Sequence, residues 1–493
     1  MVVTIVLAQL ATGLLSMPCD RIQTVSLERA RVTSARVVPA GPFVAPQTPG
    51  VEPPATTPEP IPAHCRVTLV LEPTADSNIN VELWMPTESW NGKFLAVGNG
   101  GWAGRIQRYD DMQAALRRGY ATAGTDTGHS AADGPDGMFG LGHPEKVVDF
   151  AYRAIHDMTV KSKRLIAAFY EQPLDYAYFK GCSTGGRQAV MAAQRYPGDF
   201  DGIIAGALAN RHIYMHTAGV ARRIEIARHP ERAISAEKAQ LVTDSMMKAC
   251  DTLGEGFLNN PRECSFDFST LQCTASGSTQ GCLTEAEMRS VDVFYNGLKN
   301  SKGELIFSGQ ALGNPMRELR PEDISNPVSD TVRILAFQNP NYDWQSFELD
   351  RDMPLIADAV GYVDAVDPDL RAFKAHGGKL LLYTGWGDTG ISPENTVLYY
   401  ENVRAEMGAE QDEWLRLFMV PGMGHCRGGE GPHTFDTIAT LERWREQDVA
   451  PNQILGTNPE RKLTRPLCPY PQYAKYDGNG DLKDAANWTC ANP

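Results

Sequence analysis

Two stretches of this 493-residue chain alternate short β-rich runs with amphipathic helical patterns, and a segment between them does not. In the first stretch Phe94–Gly98, Tyr120–Thr125, Tyr176–Lys180 and Gly202–Ala207 read as strands. Asp111–Arg118, Val147–Tyr170 and Gln188–Tyr196 fall among them and read as helices. Ahead of these, Arg66–Leu71 and Asn80–Trp84 alternate in the manner of antiparallel strands. A regular exchange of strand and helix is satisfied by a mostly parallel sheet with helices packed on it. The pattern breaks near Asn210 and resumes with strands Lys379–Tyr383 and Leu415–Val420 and helices Glu394–Met407 and Thr434–Gln447. The sequence therefore predicts an α/β core made of residues 19–210 and 358–493, interrupted by an inserted domain at 211–357. That insert holds four of the ten cysteines, aromatic-rich loops, and helical segments at Ala236–Lys248 and Thr284–Tyr295.

Composition removes several classes of function. Sixty acidic against 46 basic residues give a net charge of −14 with no basic block, which repels polyanions and argues against nucleic acid as a partner. No two cysteines are spaced C-x-x-C, so zinc ribbons and thioredoxin-type redox sites are not expected. Ten cysteines point to an oxidising compartment, secreted or periplasmic, although counting alone leaves their pairing open. Residues 1–18 form a candidate signal segment. The apolar stretch Val2–Leu15 is too short to span a bilayer, but no Lys or Arg precedes Arg21 and no A-x-A site follows, which points to an atypical signal or a truncated start. No other run is long enough to cross a membrane, so none is expected as a partner. From Pro39 to Pro62 nine prolines rule out a helix or a central strand and predict an extended linker, flanked by Cys19 and Cys65.

The chemistry is concentrated at Gly181-Cys182-Ser183-Thr184-Gly185-Gly186, the chain's one G-x-S-x-G. It follows a predicted strand and precedes a predicted helix. A sharp strand-to-helix turn leaves no room for side chains two positions either side of the serine, and it presents the hydroxyl above the sheet edge. A serine needs a base, and on such a fold the acid and then the histidine follow it, each after a late strand. Asp388 in Thr384-Gly-Trp-Gly-Asp388 follows Lys379–Tyr383, and His425 in Pro421-Gly-Met-Gly-His425 follows Leu415–Val420. Both sit where open α/β sheets build their sites, at the carboxyl ends of strands. Asp364, Asp367 and Asp369 precede the Lys379 strand. Among the histidines, His376 precedes that strand too, His433 lies beyond the turn, and His129, His143 and His156 come before the serine.

Cys182 adjoins Ser183 and Cys426 adjoins His425. If serine and histidine meet, their neighbours come within disulfide range, and a Cys182–Cys426 bridge would tie nucleophile to base.

These residues, with the glycine-rich Gly98-Asn-Gly-Gly-Trp-Ala-Gly104, resemble the tannase and feruloyl esterase family, which also contains a mono(2-hydroxyethyl) terephthalate hydrolase. The resemblance runs from Cys19 to Cys490. It implies an α/β-hydrolase fold with a large inserted lid domain, a secreted enzyme, and hydrolysis of small aromatic ester substrates of the hydroxycinnamic or benzoic type. Ser183 would then be the nucleophile, His425 the base and Asp388 its orienting acid. Backbone N–H groups of Thr184 and Gly101 would form the oxyanion hole. The implied disulfides are Cys182–Cys426, Cys19–Cys65, Cys250–Cys264, Cys273–Cys282 and Cys468–Cys490.

In one place the chain departs from the family. A calcium loop of the form C-D-x-x-D-G-x-x-D-G is usual in the lid, and here Cys250–Pro261 is shorter and lacks one carboxylate and one carbonyl position. With six to eight oxygens needed, it reads as a lost or weakened calcium site, so no cofactor is required and metal ligands are expected to be none. Asp477-Gly-Asn-Gly-Asp481 resembles the start of an EF-hand loop, but Trp488 stands at position twelve and a polar turn is expected. For the substrate pocket, Arg333 and Phe337, four apart in the lid, are candidates to hold an aromatic ring bearing a carboxylate or phenol. Feruloyl esterase, tannase and terephthalate-monoester hydrolase differ only in that pocket. A catalytically silent binding scaffold is the reading from another class, and a lipase or peptidase is a third.

Overall fold

Strands covered on both faces must bury most of their residues, and this chain places six such strands side by side. The structure, a computed structural model, describes residues 17–46, 59–134, 136–274, 279–320 and 328–493, so most of the candidate signal segment lies outside the described residues. Nine strands form one sheet: β1 (Ala30–Val38), β2 (His64–Leu71), β3 (Ile79–Pro86), β4 (Lys93–Val97), β5 (Ala121–Thr125), β6 (Tyr176–Cys182), β7 (Gly202–Gly206), β8 (Lys379–Gly385) and β9 (Leu415–Val420). Their spatial order is β1-β2-β3-β5-β4-β6-β7-β8-β9, antiparallel from β1 through β5 and parallel from β5 onward. Every residue of β5 and β7 is buried, and β7 is a continuous apolar run of the kind a parallel sheet requires. The chain from 207 to 378 adds no strand to this sheet among the described residues, whereas β8 and β9 rejoin it. The fold is that of an α/β hydrolase.

Three features differ from the sequence reading. Strand β1 was not expected: its burial alternates only weakly and Arg31, Thr33 and Arg36 make it polar, which suits an edge strand with one wet face. The proline-rich stretch is not a free linker at its described ends. Gly41 pairs with Ile61, and Phe43, Ala45 and Ile61 pack against Trp84 and Tyr109. The helical run up to Tyr170 contains a π-turn at Asp149–Arg153 before the α-helix Ala154–Tyr170. Its cause is visible: the fully buried guanidinium of Arg187 takes the carbonyls of Phe150 and Ala151, drawing them out of the ordinary helix ladder.

Between β7 and β8 lie the helices His212–Arg228, Ala236–Cys250, Glu285–Asn296 and Leu349–Val360 and a π-turn at Thr331–Ala336. The first of these packs Ile213, Val220 and Ile224 against Val332, Leu335 and Ile356. Two C-terminal hairpins follow the last core helix, and Asp477–Asp481 lies in the turn region of the second. Five disulfides close: Cys19–Cys65, Cys182–Cys426, Cys250–Cys264, Cys273–Cys282 and Cys468–Cys490, the same pairs the resemblance implies.

Candidate active site

Strand β6 delivers Ser183 to the N-terminus of the helix Thr184–Arg195 with φ +65°, a conformation L-residues seldom adopt. The turn holds because nothing projects from its flanks. A Cβ on Gly181 would stand 2.3 Å from the Gly185 carbonyl oxygen, and one on Gly185 would stand 2.9 Å from the Asn99 oxygen. Ser183 donates its N–H to Gly206 on β7, and its carbonyl accepts from Arg187. The neighbouring glycine turn is pinned to the same helix. Thr184 Oγ1 donates to the Gly101 carbonyl at 2.6 Å, and Gly185 N–H donates to Asn99. The backbone N–H groups of Thr184 and Gly101 have no backbone acceptor among the described residues, and both residues border the cavity in front of Ser183.

Asp388 and His425 arrive on the loops after β8 and β9. Asp388 has no solvent exposure. Its Oδ1 accepts from the backbone N–H groups of Gly390 (2.8 Å) and Ile391 (2.9 Å), and its Oδ2 lies 2.8 Å from His425 Nδ1. A carboxylate only accepts, so Nδ1 carries the proton and Nε2 is left as the basic nitrogen. From the segment between β7 and β8, Asn314 Nδ2 reaches the Asp388 carbonyl at 3.2 Å. Cys426, next to His425, is bridged to Cys182 with 5.9 Å between Cα atoms. Ser183 and His425 border one cavity, without a direct hydrogen bond between them among the described residues. Such contacts tighten when substrate binds.

That cavity holds about 210 Å³ and is walled by Trp102, Met215 and Ile391 as well as by the residues above. Two lining residues were not singled out in the sequence, His212 and His216. They stand four apart on the first turns of a helix that the sequence pattern did not reveal; the available signal was a pair of histidines directly after the carboxyl end of a buried strand. Burial, reinforced by the neighbouring His216 and Arg187, holds the His212 imidazole well below its ordinary pKa, and burial lowers His216 to about 4.

Arg333 and Phe337 are not among the lining residues. Arg333 Nε donates to Asp330 at 2.8 Å, its NH1 group donates to the Pro340 carbonyl, and Phe337 stacks on Tyr342 with centroids 5.1 Å apart. Asp330 in turn accepts from the Gly137 N–H, so the guanidinium belongs to a network that joins the insert to the core loop at Gly137.

In the shortened loop at 250–261 the carboxylate oxygens of Asp251 and Glu255 are already committed. Asp251 accepts the N–H groups of Glu255 and Gly256. Glu255 is held by both terminal nitrogens of Arg465 (2.7 and 3.2 Å) and by Asn259. Arg465 is fully buried, with its guanidinium over the Trp488 ring. These residues do not fit a divalent cation: a side-chain cation already occupies the carboxylate that would be its ligand. Trp488 is also the residue that takes the twelfth position of the EF-hand-like run.

Residues 65–491 match the family model described as tannase and feruloyl esterase. The chain is 34% identical to a protein described as an uncharacterized esterase of Xanthomonas campestris, over 98% of this chain and 93% of that one. It is 30% identical to a probable feruloyl esterase B-2 of Aspergillus terreus, over 86% of each. Among solved structures, feruloyl esterase B from Aspergillus oryzae superposes with a TM-score of 0.83 at 30% identity, covering 96% of this chain and 99% of that one. Tannin acyl hydrolase from Aspergillus niger superposes with a TM-score of 0.76 at 20% identity, covering 95% and 92%, a likeness of fold.

Proposed function

The chain belongs to the tannase and feruloyl esterase family and is a carboxylic ester hydrolase, and from that premise we propose that it cleaves esters of aromatic acids through an acyl-enzyme on Ser183. The observation that carries this reading is the 2.8 Å contact between His425 Nδ1 and buried Asp388, at the rim of the cavity that also receives Ser183. His425 Nε2 takes the Ser183 proton as the oxygen attacks the ester carbonyl. The resulting oxyanion is met by the N–H groups of Thr184 and Gly101, each worth about 3 kcal/mol in such sites. The imidazolium then gives its proton to the departing alcohol as the carbon–oxygen bond breaks. Water, deprotonated by the same nitrogen, attacks the acyl-enzyme and releases the acid with Ser183 restored.

Feruloyl-type esters are the substrates the reading favours, after the relatives named feruloyl esterase. The reaction uses no metal or cofactor, in keeping with the Arg465–Glu255 pair at the former calcium loop. The enzyme works outside the cytoplasm. Five disulfides support that, and no helix among the described residues is long and apolar enough to cross a membrane.

The test is a stopped-flow burst with p-nitrophenyl acetate, followed by mass mapping of the quenched enzyme. An acyl adduct on the peptide containing Ser183, lost in Ser183→Ala together with turnover, is the expected result. Turnover persisting in Ser183→Ala at more than a thousandth of the native rate would overturn it.

A further inference from the structure

His212 is 2% exposed, and neither of its ring nitrogens has a hydrogen-bond partner among the described residues. An imidazole has two polar nitrogens, and burying both unpaired is costly unless a visitor satisfies them. His212 borders the cavity in front of Ser183, as does His216, one helical turn further on. The two rings are 4.4 Å apart, and both lie edge-on to Trp102 at 4.9 and 5.0 Å. Their position is fixed from behind, since Asp364 Oδ1 accepts the N–H of Ile213 at 2.8 Å in the first turn of the same helix.

We propose that His212 and His216 form a recognition site for a phenolic hydroxyl on the aromatic part of the ester, held against the Trp102 indole. This rests on Ser183 as the nucleophile and deepens that reading by naming the ring substituent. A neutral imidazole offers one N–H donor and one bare acceptor nitrogen, and a phenol offers one of each in return. Both rings are neutral near pH 7, because burial lowers them. A ring carboxylate finds no such match. Among the described residues no Lys or Arg lines the cavity, Arg223 acts on His216 without lining it, Arg187 is spent on three carbonyls behind it, and Arg333 is tied to Asp330. A methoxy group in place of the hydroxyl would leave an acceptor nitrogen buried without a donor, the situation sites of this kind discriminate against most strongly.

The test compares kcat/KM for the methyl esters of 4-hydroxycinnamic, 4-methoxycinnamic and 4-carboxycinnamic acids, with p-nitrophenyl acetate reporting on the catalytic centre alone. The native enzyme should favour the hydroxy ester over each of the others by roughly tenfold or more. His212→Phe and His216→Phe, made separately, should each collapse that preference by raising KM for the hydroxy ester. His216→Phe changes the less buried ring, and the native ester series needs no variant at all, so a folding failure of His212→Phe leaves the test intact. A preference unmoved in His216→Phe, or a 4-carboxy ester cleaved as well as the hydroxy ester, would overturn the site while leaving Ser183 in its role. Turnover of p-nitrophenyl acetate in Ser183→Ala would instead remove the nucleophile and the proposal together.

Discussion

Replacing Asp388 with asparagine changes one atom, and the surroundings dictate where the new N–H₂ must point. Oδ1 of Asp388 accepts two backbone N–H groups, from Gly390 and Ile391. An asparagine keeps its oxygen there, because turning the amide over would set its N–H₂ against two donors in a site without solvent exposure. The amide nitrogen therefore takes the place of Oδ2, facing His425 Nδ1 at about the present 2.8 Å. Now Nδ1 must accept, the ring proton moves to Nε2, and the nitrogen that should receive the Ser183 proton no longer can. A wrong tautomer of this kind costs about 10⁴ in kcat, or ~5.4 kcal/mol of transition-state stabilisation. Both loop hydrogen bonds survive, so the thermal midpoint should move little. The assay is kcat on p-nitrophenyl acetate and methyl ferulate beside a melting curve by circular dichroism. A folded Asp388→Asn enzyme within tenfold of native kcat would refute the tautomer argument and the role of the carboxylate with it.

The bridge between Cys182 and Cys426 closes a loop with a sequence separation of 244, worth roughly 5 kcal/mol in the chain-entropy account. The double change Cys182→Ser with Cys426→Ser should lower the guanidinium midpoint accordingly and reduce kcat, and unaltered values of both would count against the clamp. In the loop after Cys250, Arg465→Met strands buried Glu255 and should cost about 3–5 kcal/mol by denaturant titration. Chelator treatment of the native protein should leave its melting temperature in place, and a fall of several degrees would show a metal after all. Burial raises Asp364 to about 7, so between about pH 4 and 7 the folded protein keeps a proton that the unfolded chain has released. Stability thus falls as pH rises through that window. Asp364→Asn keeps an acceptor for Ile213, so it should flatten the decline and gain on the order of 2 kcal/mol at pH 8, which melting curves across pH would check.

What the sequence revealed and what it concealed divide along a physical line. β7 is legible because burial on both faces demands an unbroken apolar run, and that demand lies within five residues of chain. The turn at Ser183 is equally local: Gly181 and Gly185 are glycines because each lacks room for a Cβ, whatever the distant chain does. Asp388 and His425 could be picked out because loop position after a late strand is also a property of short segments. The helix His212–Arg228 shows no clean stripe, because it serves two masters. Ile213, Val220 and Ile224 pack into the lid, while His212 and His216 border the cavity and Arg228 reaches carbonyls of Gln345 and Phe347. Arg333 makes the same point from the other side. Spacing alone puts it near Phe337, but Asp330, three residues earlier, claims its guanidinium. Which wall a lid residue meets is decided by contacts such as Asp330 with Gly137 or Asn314 with Asp388, between segments 74 or more residues apart. On the proposed mechanism the bond-making groups are therefore written in the strand ends, and selectivity in the packing of the insert against them. Substitutions inside the insert should accordingly change the choice of ester more readily than the rate on a small activated one.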